Sequence, residues 1–440
     1  MSSRASYESN TSLTRTHRRP NVDSLGEEIE RISSVEVEGV ERIEEVDRSR
    51  HSAYHILRKN VRRATSTIRS MVSDRGSTDD DLDNNMFLQQ ELTEEEVRKR
   101  QEAFEAMSRK LNEFMDLEKK HLEHLEKIVE FLSAVELAKD DKFIVTMPKD
   151  LKTRYKIVFG NIISIRDFHK NGFTQSLVSA LGNPVELTHL FKKRQQRIKE
   201  LYSKYYINKP RSDYVLNEFS DFFQEMEQVQ QFESIGFRYD SELTVPVQHL
   251  QRYPILLEGL ISSSKQAGEL EYMEYFTQVY KICHDISITA NSMMEAGRIQ
   301  NLEFDITSQG TLVHRGTVRC KENGKKKTFP EIFKKNKDSS FDAHVFFFDQ
   351  CIIITEFTPR KVSTSEDEYK FLRRFNTNHL TVKDEGKSKK SFEIYDTDDR
   401  VSLSVICTDD EEKMIWLQKI NETLKSLERI GDTLTNPGAF

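Results

Sequence analysis

The sequence predicts two folded domains of different class behind a disordered arm. The first is an elongated all-α bundle over residues 96–304, and the second a small antiparallel β barrel or sandwich over 305–430, capped by a C-terminal helix. Three observations predict this. Residues 1–95 are rich in Ser, Thr, Arg, Asp and Glu and poor in aromatics, a composition that buries too little apolar surface to offset chain entropy. From about residue 96, apolar side chains recur every three or four positions, the period of one helix face. Near 305 that period gives way to short β-branched and aromatic runs between polar loops.

Charge is segregated in the arm. "LGEEIERISSVEVEGVERIEEVD" (25–47) is acidic, whereas "HSAYHILRKNVRRATSTIRS" (51–70) holds five Lys/Arg and no acid. The basic piece is expected to form a short amphipathic helix with Ile56, Val61 and Ile68 among its apolar residues. Thr65, two residues after an arginine pair, stands in a context that many kinases accept. A phosphate there would weaken docking of the basic segment on an acidic or anionic surface.

The helical region opens with some forty residues free of Gly and Pro, in which Phe104, Met107, Leu111, Phe114, Leu117, Leu122, Leu125 and Phe131 keep the helical spacing. Further helices are expected at about 150–169, 172–181, 185–206, 213–234, 241–265 and 270–304, broken by "MPKD", "KNG", "LGNP" and "NKPRSD". The stretch "LTVPVQHLQRYPILLEGLI" (243–261) keeps the apolar stripe running through Pro254, although proline costs roughly 3 kcal/mol inside a helix. The strand candidates are "GTLVHRGTVRC", "AHVFFFD", "CIIITEF", "HLTVKDE", "KSFEIYD" and "VSLSVIC". The helix "DDEEKMIWLQKINETLKSLERI" (409–430) follows, with acids in its first turn and the sole tryptophan, Trp416, expected in the small domain's core. Residues 431–440 form a tail.

Composition excludes several functions. A net charge of −7 gives no overall basis for nucleic-acid binding. Cys283, Cys320, Cys351 and Cys407 lie far apart, without CxxC spacing, and read as thiols in a reducing compartment. The first twenty residues lack the apolar core of a signal peptide, and no run reaches the ~18 apolar residues of a membrane span. A cytoplasmic protein, at most peripheral at a membrane, is therefore expected. No Walker loop or GxGxxG occurs, and no cofactor is expected. "HLEH" (121–124) has no evident third ligand and reads as a solvated helix face, so no metal site is expected.

Three ordered motifs resemble the Dbl-homology/pleckstrin-homology tandem of Rho-family guanine nucleotide exchange factors. "LNEFMDLEKKHLEHL" (111–125) is similar to that family's opening helix, E-L-L-x-T-E-x-x-Y-V-x-x-L. "VFGNIISIRDFHKNGFTQSL" (158–177) is similar to I-F-x-N-x-x-x-I-x-x-x-H. The stretch 243–261 resembles K-P-V-Q-R-x-x-K-Y-P-L-L-L-x-x-L, the most specific of the three. "YYINKPRSD" (205–213) and "TANSMMEAG" (289–297) add to the likeness, which covers about residues 96–430 and lies nearest the Trio and kalirin type.

The resemblance implies an exchange factor without covalent chemistry. It would bind the nucleotide-free form of a Rho, Rac or Cdc42-type GTPase best, and so shift the GTPase away from GDP. It implies that 243–261 is one long helix, bent at Pro254, whose apolar stripe faces the core and whose other face presents Gln248, His249, Gln251 and Arg252 to the GTPase. Glu118 matches the glutamate that engages the first switch, and Asn291 the asparagine that meets the second.

Three departures from the motifs stand out. Val245 replaces the usual Lys, His249 the usual Arg, and His121 the usual Tyr. They leave a second reading open: a catalytically weak or inactive scaffold that holds GTPase or cytoskeletal partners. A membrane-shaping helical dimer fits the helices but not the 243–261 block. In the β domain, Lys325, Lys326 and Lys327 are expected to attract an anionic membrane lipid surface without a tight headgroup pocket, since "SSFDA" lacks the basic pair of phosphoinositide-binding relatives.

Overall fold

The computed structural model describes residues 93–323, 340–358, 367–384 and 390–435. The arm with Thr65, and the basic stretch with Lys325, Lys326 and Lys327, lie outside them. The long Gly-free segment is helix α1 (Glu94–Lys139). A capping box starts it: Glu96 N–H donates to the Thr93 hydroxyl, and Thr93 N–H donates to the Glu96 carboxylate at 2.7 Å. Its buried stripe includes Met107, Leu111, Phe114, Leu125 and Phe131, as the spacing predicts.

Short helices α2 (Tyr155–Phe159) and α3 (Ile162–Phe168) come next. They lead to a kinked turn over His169–Phe173, where Gly172 takes φ 129°, and then to α4 (Thr174–Ala180). Helix α5 (Pro184–Glu218) runs straight through "NKPRSD", where a break is expected from the sequence. The polar residues that spell a loop there are ties to α2. Asn208 Nδ2 donates to the Ile157 carbonyl at 2.6 Å and Ser212 Oγ donates to that of Val158 at 2.7 Å, bracing the helix on both sides of Pro210.

The short helices α6 (Ser220–Glu227), α7 (Gln230–Glu233) and α8 (Tyr239–Glu242) precede α9 (Val245–Ala267) and α10 (Leu270–Ala296). The last of these stops at Ala296, short of the expected 304, because the chain closes onto α5 there. A Cβ at Gly297 would stand 2.2 Å from the Ile207 carbonyl oxygen, so only glycine fits. Helix α9 packs between α1 and α10 and carries Pro254 in its interior without interruption. Pro254 has no N–H for the Leu250 carbonyl one turn back. The Ser287 hydroxyl of α10 donates to that carbonyl instead, at 3.2 Å.

The second domain is an eight-stranded sheet with the order β1-β5-β4-β3-β2-β8-β7-β6. Its strands are β1 (Ile299–Gln300), β2 (Leu312–Asn323), β3 (Ser340–Phe348), β4 (Cys351–Thr358), β5 (Glu368–Asn376), β6 (Leu380–Lys383), β7 (Ser391–Asp396) and β8 (Val401–Ile406). Among the described residues every pairing is antiparallel except β1 with β5, and none joins β6 to β1, so the sheet stays open in the manner of a sandwich. Helix α11 (Asp410–Thr435) buries Trp416, Leu417 and Ile420 in a core with Val318, Val345 and Leu403. Strand β5, "EYKFLRRFN", is absent from the sequence expectation because its charges break the alternation. Strand β1 pairs with β5, so the exit of α10 becomes part of the sheet's edge. Near that exit, Glu295 forms an ion pair with Arg315 and accepts a hydrogen bond from the Tyr369 hydroxyl at 2.5 Å.

Replacing Ser287 by alanine strands the buried Leu250 carbonyl. Urea unfolding of Ser287→Ala is expected to show a loss of about 1–3 kcal/mol, the cost of an unmet buried acceptor. No loss would mean that the carbonyl finds another donor.

Candidate functional site

Helices α9 and α10 lie side by side and share an exposed face. One turn and a half of α9 places Gln248, Gln251 and Arg252 on it, and α10 adds Asn291, all solvent-exposed. Gln251 Nε2 donates to Asn291 Oδ1 at 3.3 Å, linking the two helices at the centre of the face. Two apolar side chains flank that pair: Ile255 is 66% exposed and Ile288 51%. Neither isoleucine is singled out by the sequence reading. The available signal was an apolar residue off the stripe, as Ile255 is beside Leu256 and Leu257. Along the other edge of α9, a groove of about 570 Å³ opens against α1, lined by Arg109, Asn112, Glu113, Asp116, Lys120 and Arg252 among others. The face thus combines amide donors and acceptors, a guanidinium and two apolar anchors. It holds no paired nucleophile and base.

His249 does not belong to this face. Only 2% of it is exposed, because it lies four residues before Tyr253 and therefore on the inward stripe. Glu118 is also fully buried, so in this conformation its carboxylate touches protein only. The two meet beneath the face, where His249 Nε2 lies 2.8 Å from Glu118 Oε1. The Tyr253 hydroxyl donates to the same oxygen. On Oε2, His169 Nδ1 lies at 3.2 Å and the Thr174 hydroxyl donates at 3.4 Å. His121 completes the cluster. Its ring stacks on that of His249, with centroids 3.6 Å apart and planes at 7°. Its Nε2 and His169 Nε2 each stand 2.9 Å from the Tyr202 hydroxyl of α5. His124 turns elsewhere and pairs with Glu242 at 2.6 Å, so the two histidines of "HLEH" do not act together.

Burial governs the electrostatics here. It pushes the His121 imidazole well below its usual range and lowers that of His249. It raises the Tyr202 and Tyr253 hydroxyls well above theirs, so both remain donors. For Glu118, burial alone works upward, but the adjoining His249 and His169 outweigh it and hold the carboxyl well below the usual range. An anionic carboxylate therefore sits under the face, kept there by hydrogen bonds from α4, α9 and the kinked turn. The quoted motifs contain His169, but no spacing argument joins it to His121 and His249 across 48 and 80 residues of sequence.

With this geometry in place, the class of the protein follows from comparison. The chain matches the RhoGEF domain family over residues 110–291 and the SOS1/NGEF-like PH domain family over residues 306–423. It therefore carries a RhoGEF domain followed by a PH domain. Rho guanine nucleotide exchange factor 25 of Rattus norvegicus is 32% identical over 250 residues, 56% of this chain and 39% of that protein. The proto-oncogene DBL of Homo sapiens is 25% identical over 286 residues, 63% of this chain and 30% of that protein. The chain thus spans well under half the length of these relatives. Likeness to the Trio and kalirin type rests on the motifs alone. Among solved structures, the PDZ-RhoGEF DH/PH domains in complex with GTP-gamma-S activated RhoA match at 16% identity and a TM-score of 0.40, over 76% of this chain and 96% of that one. No helix among the described residues is long and apolar enough to cross a membrane.

Tyr253→Phe keeps the ring, which packs 5.1 Å from that of Phe114, but removes one donor from the buried carboxylate. A hydrogen bond to a charged group contributes about 1.5–3 kcal/mol. Chemical denaturation of Tyr253→Phe is expected to show a loss in that range. A neutral result would contradict an anionic Glu118.

Proposed function

We propose that this chain is a guanine nucleotide exchange factor for a Rho-family GTPase, which docks on the shared face of α9 and α10. The observation that carries this reading is the exposed set Gln248, Gln251, Arg252 and Asn291, joined by the Gln251–Asn291 hydrogen bond inside a RhoGEF domain. Ile255 and Ile288 supply apolar area beside it, and two abutting helices present both without loop motion. A rigid face of this kind acts by differential affinity. It binds the GTPase more tightly with the nucleotide site empty than with it filled, and the equilibrium shifts toward GDP release. The chain itself makes and breaks no covalent bond in that process.

Glu118 then works from below. The tie from α1 to α9 through His249 and Tyr253 sets the spacing of the two helices that frame the groove. A direct contact of Glu118 with the first switch would need the carboxylate to leave its four partners. That inaccessibility, with Val245 and His249 in place of two basic residues, favours the second reading: a scaffold that holds a GTPase without emptying it. An anionic membrane surface is the partner proposed for the PH domain.

Fluorescent-GDP release from a Rho, Rac and Cdc42 panel separates the two. Acceleration of at least one GTPase is expected, with Asn291→Ala and Arg252→Glu each reducing it tenfold or more. Binding without acceleration on any member would establish the scaffold, and acceleration untouched by both substitutions would remove this face from the mechanism.

A further inference from the structure

Two of the departures from the family motifs are changes to histidine, and the structure brings both to one place. His121 stands where the motif has Tyr, and His249 where it has Arg. They stack on each other and meet His169, with one nitrogen from each of the three rings lying within 4.8 Å of the others. All three residues are at most 2% exposed, and Glu118 beside them is fully buried. We propose that this cluster is a binding site for one first-row divalent transition ion of the Zn²⁺ class, with His121, His169 and His249 as nitrogen ligands and Glu118 as the oxygen ligand.

Four observations carry it. The donor set, three imidazoles and a carboxylate, is the set such ions prefer over Mg²⁺ or Ca²⁺. His121 Nδ1 and His249 Nδ1 are buried without a hydrogen-bond partner, so each ring keeps one ring nitrogen uncommitted at no access to water. The ion-pair partners of Glu118 are histidines, where the motif arginine would have placed a permanent charge; a dication supplies that charge. Outer contacts that orient metal ligands are already in place: the Tyr202 hydroxyl on His121 and His169, and the Thr174 hydroxyl on Glu118. Tetrahedral bonds of about 2.0–2.1 Å need donor atoms about 3.4 Å apart. The widest pair of donors must therefore close by about 1.4 Å, and because an ion lies in the plane of each imidazole it binds, His121 and His249 must turn out of their parallel stack while His169 gives up one of its two present hydrogen bonds. This site stands whether or not the face above it docks a GTPase.

The test uses the full chain, stripped by chelator and titrated with Co²⁺, without any GTPase present. One Co²⁺ per chain is expected, with the intense visible bands of a four-coordinate ion, displaced by Zn²⁺, and Zn²⁺ should raise the thermal midpoint. The paired substitution His121→Tyr with His249→Arg restores the motif residues, gives Glu118 a guanidinium, and should abolish both effects while circular dichroism shows a folded protein. If that pair misfolds, His169→Gln serves in its place. Absence of the bands in the parent chain, or the same bands in a folded variant, would overturn the site; the second result would move the ion to a histidine outside the cluster, such as His124 with Glu242.

Discussion

The helical domain is organised around one buried carboxylate. Glu118 of α1 is held by His169 in the kinked turn, Thr174 of α4, and His249 and Tyr253 of α9, and the histidines pass the connection through Tyr202 to α5. A charge removed from water costs far more than any one of these bonds returns, so it persists only with all its donors in position. That requirement fixes the register of α9 on α1. Because α9 alternates inward and outward residues along one helix, fixing His249 and Tyr253 inward fixes Gln248, Gln251 and Arg252 outward. The surface is thus a geometrical consequence of the interior.

Pro254 adds the second constraint. A proline inside α9 frees the Leu250 carbonyl, and Ser287 of α10 takes it. The same irregularity that weakens α9 therefore binds it to its neighbour, a little over one helical turn before Asn291. The two helices that make the face are joined both below it, at Ser287, and on it, at Gln251 and Asn291. At the far end, α10 runs into β1 on the sheet's edge, with Glu295 tied to Arg315 and Tyr369. The helical face and the β domain are accordingly connected through one continuous helix.

Much of this was legible in the sequence. Helical spacing from Met107 to Phe131, the runs that become β2, β3, β4, β6, β7 and β8, and the burial of Trp416 follow from periodicity and composition. Gln248, Gln251, Arg252 and Asn291 were placed on the surface by motif, and they are exposed. The failures have physical causes. "NKPRSD" spells a loop by local propensity, but Asn208 and Ser212 spend their polar groups on α2, a tertiary tie that no local rule contains. The resemblance puts His249 on the surface because it stands where the motif has Arg, yet its position four before Tyr253 turns it inward. The His121–His169–His249 cluster comes from three helical segments, and no one-dimensional pattern records their meeting.

Hydrogen–deuterium exchange of the chain, alone and with a nucleotide-free Rho-family GTPase, tests most directly whether the α9/α10 face is where the partner sits. Slowed exchange is expected to concentrate in peptides spanning 245–256 and 286–293, with the groove side of α1 next. Protection confined to the β domain, with α9 and α10 unchanged, would contradict it.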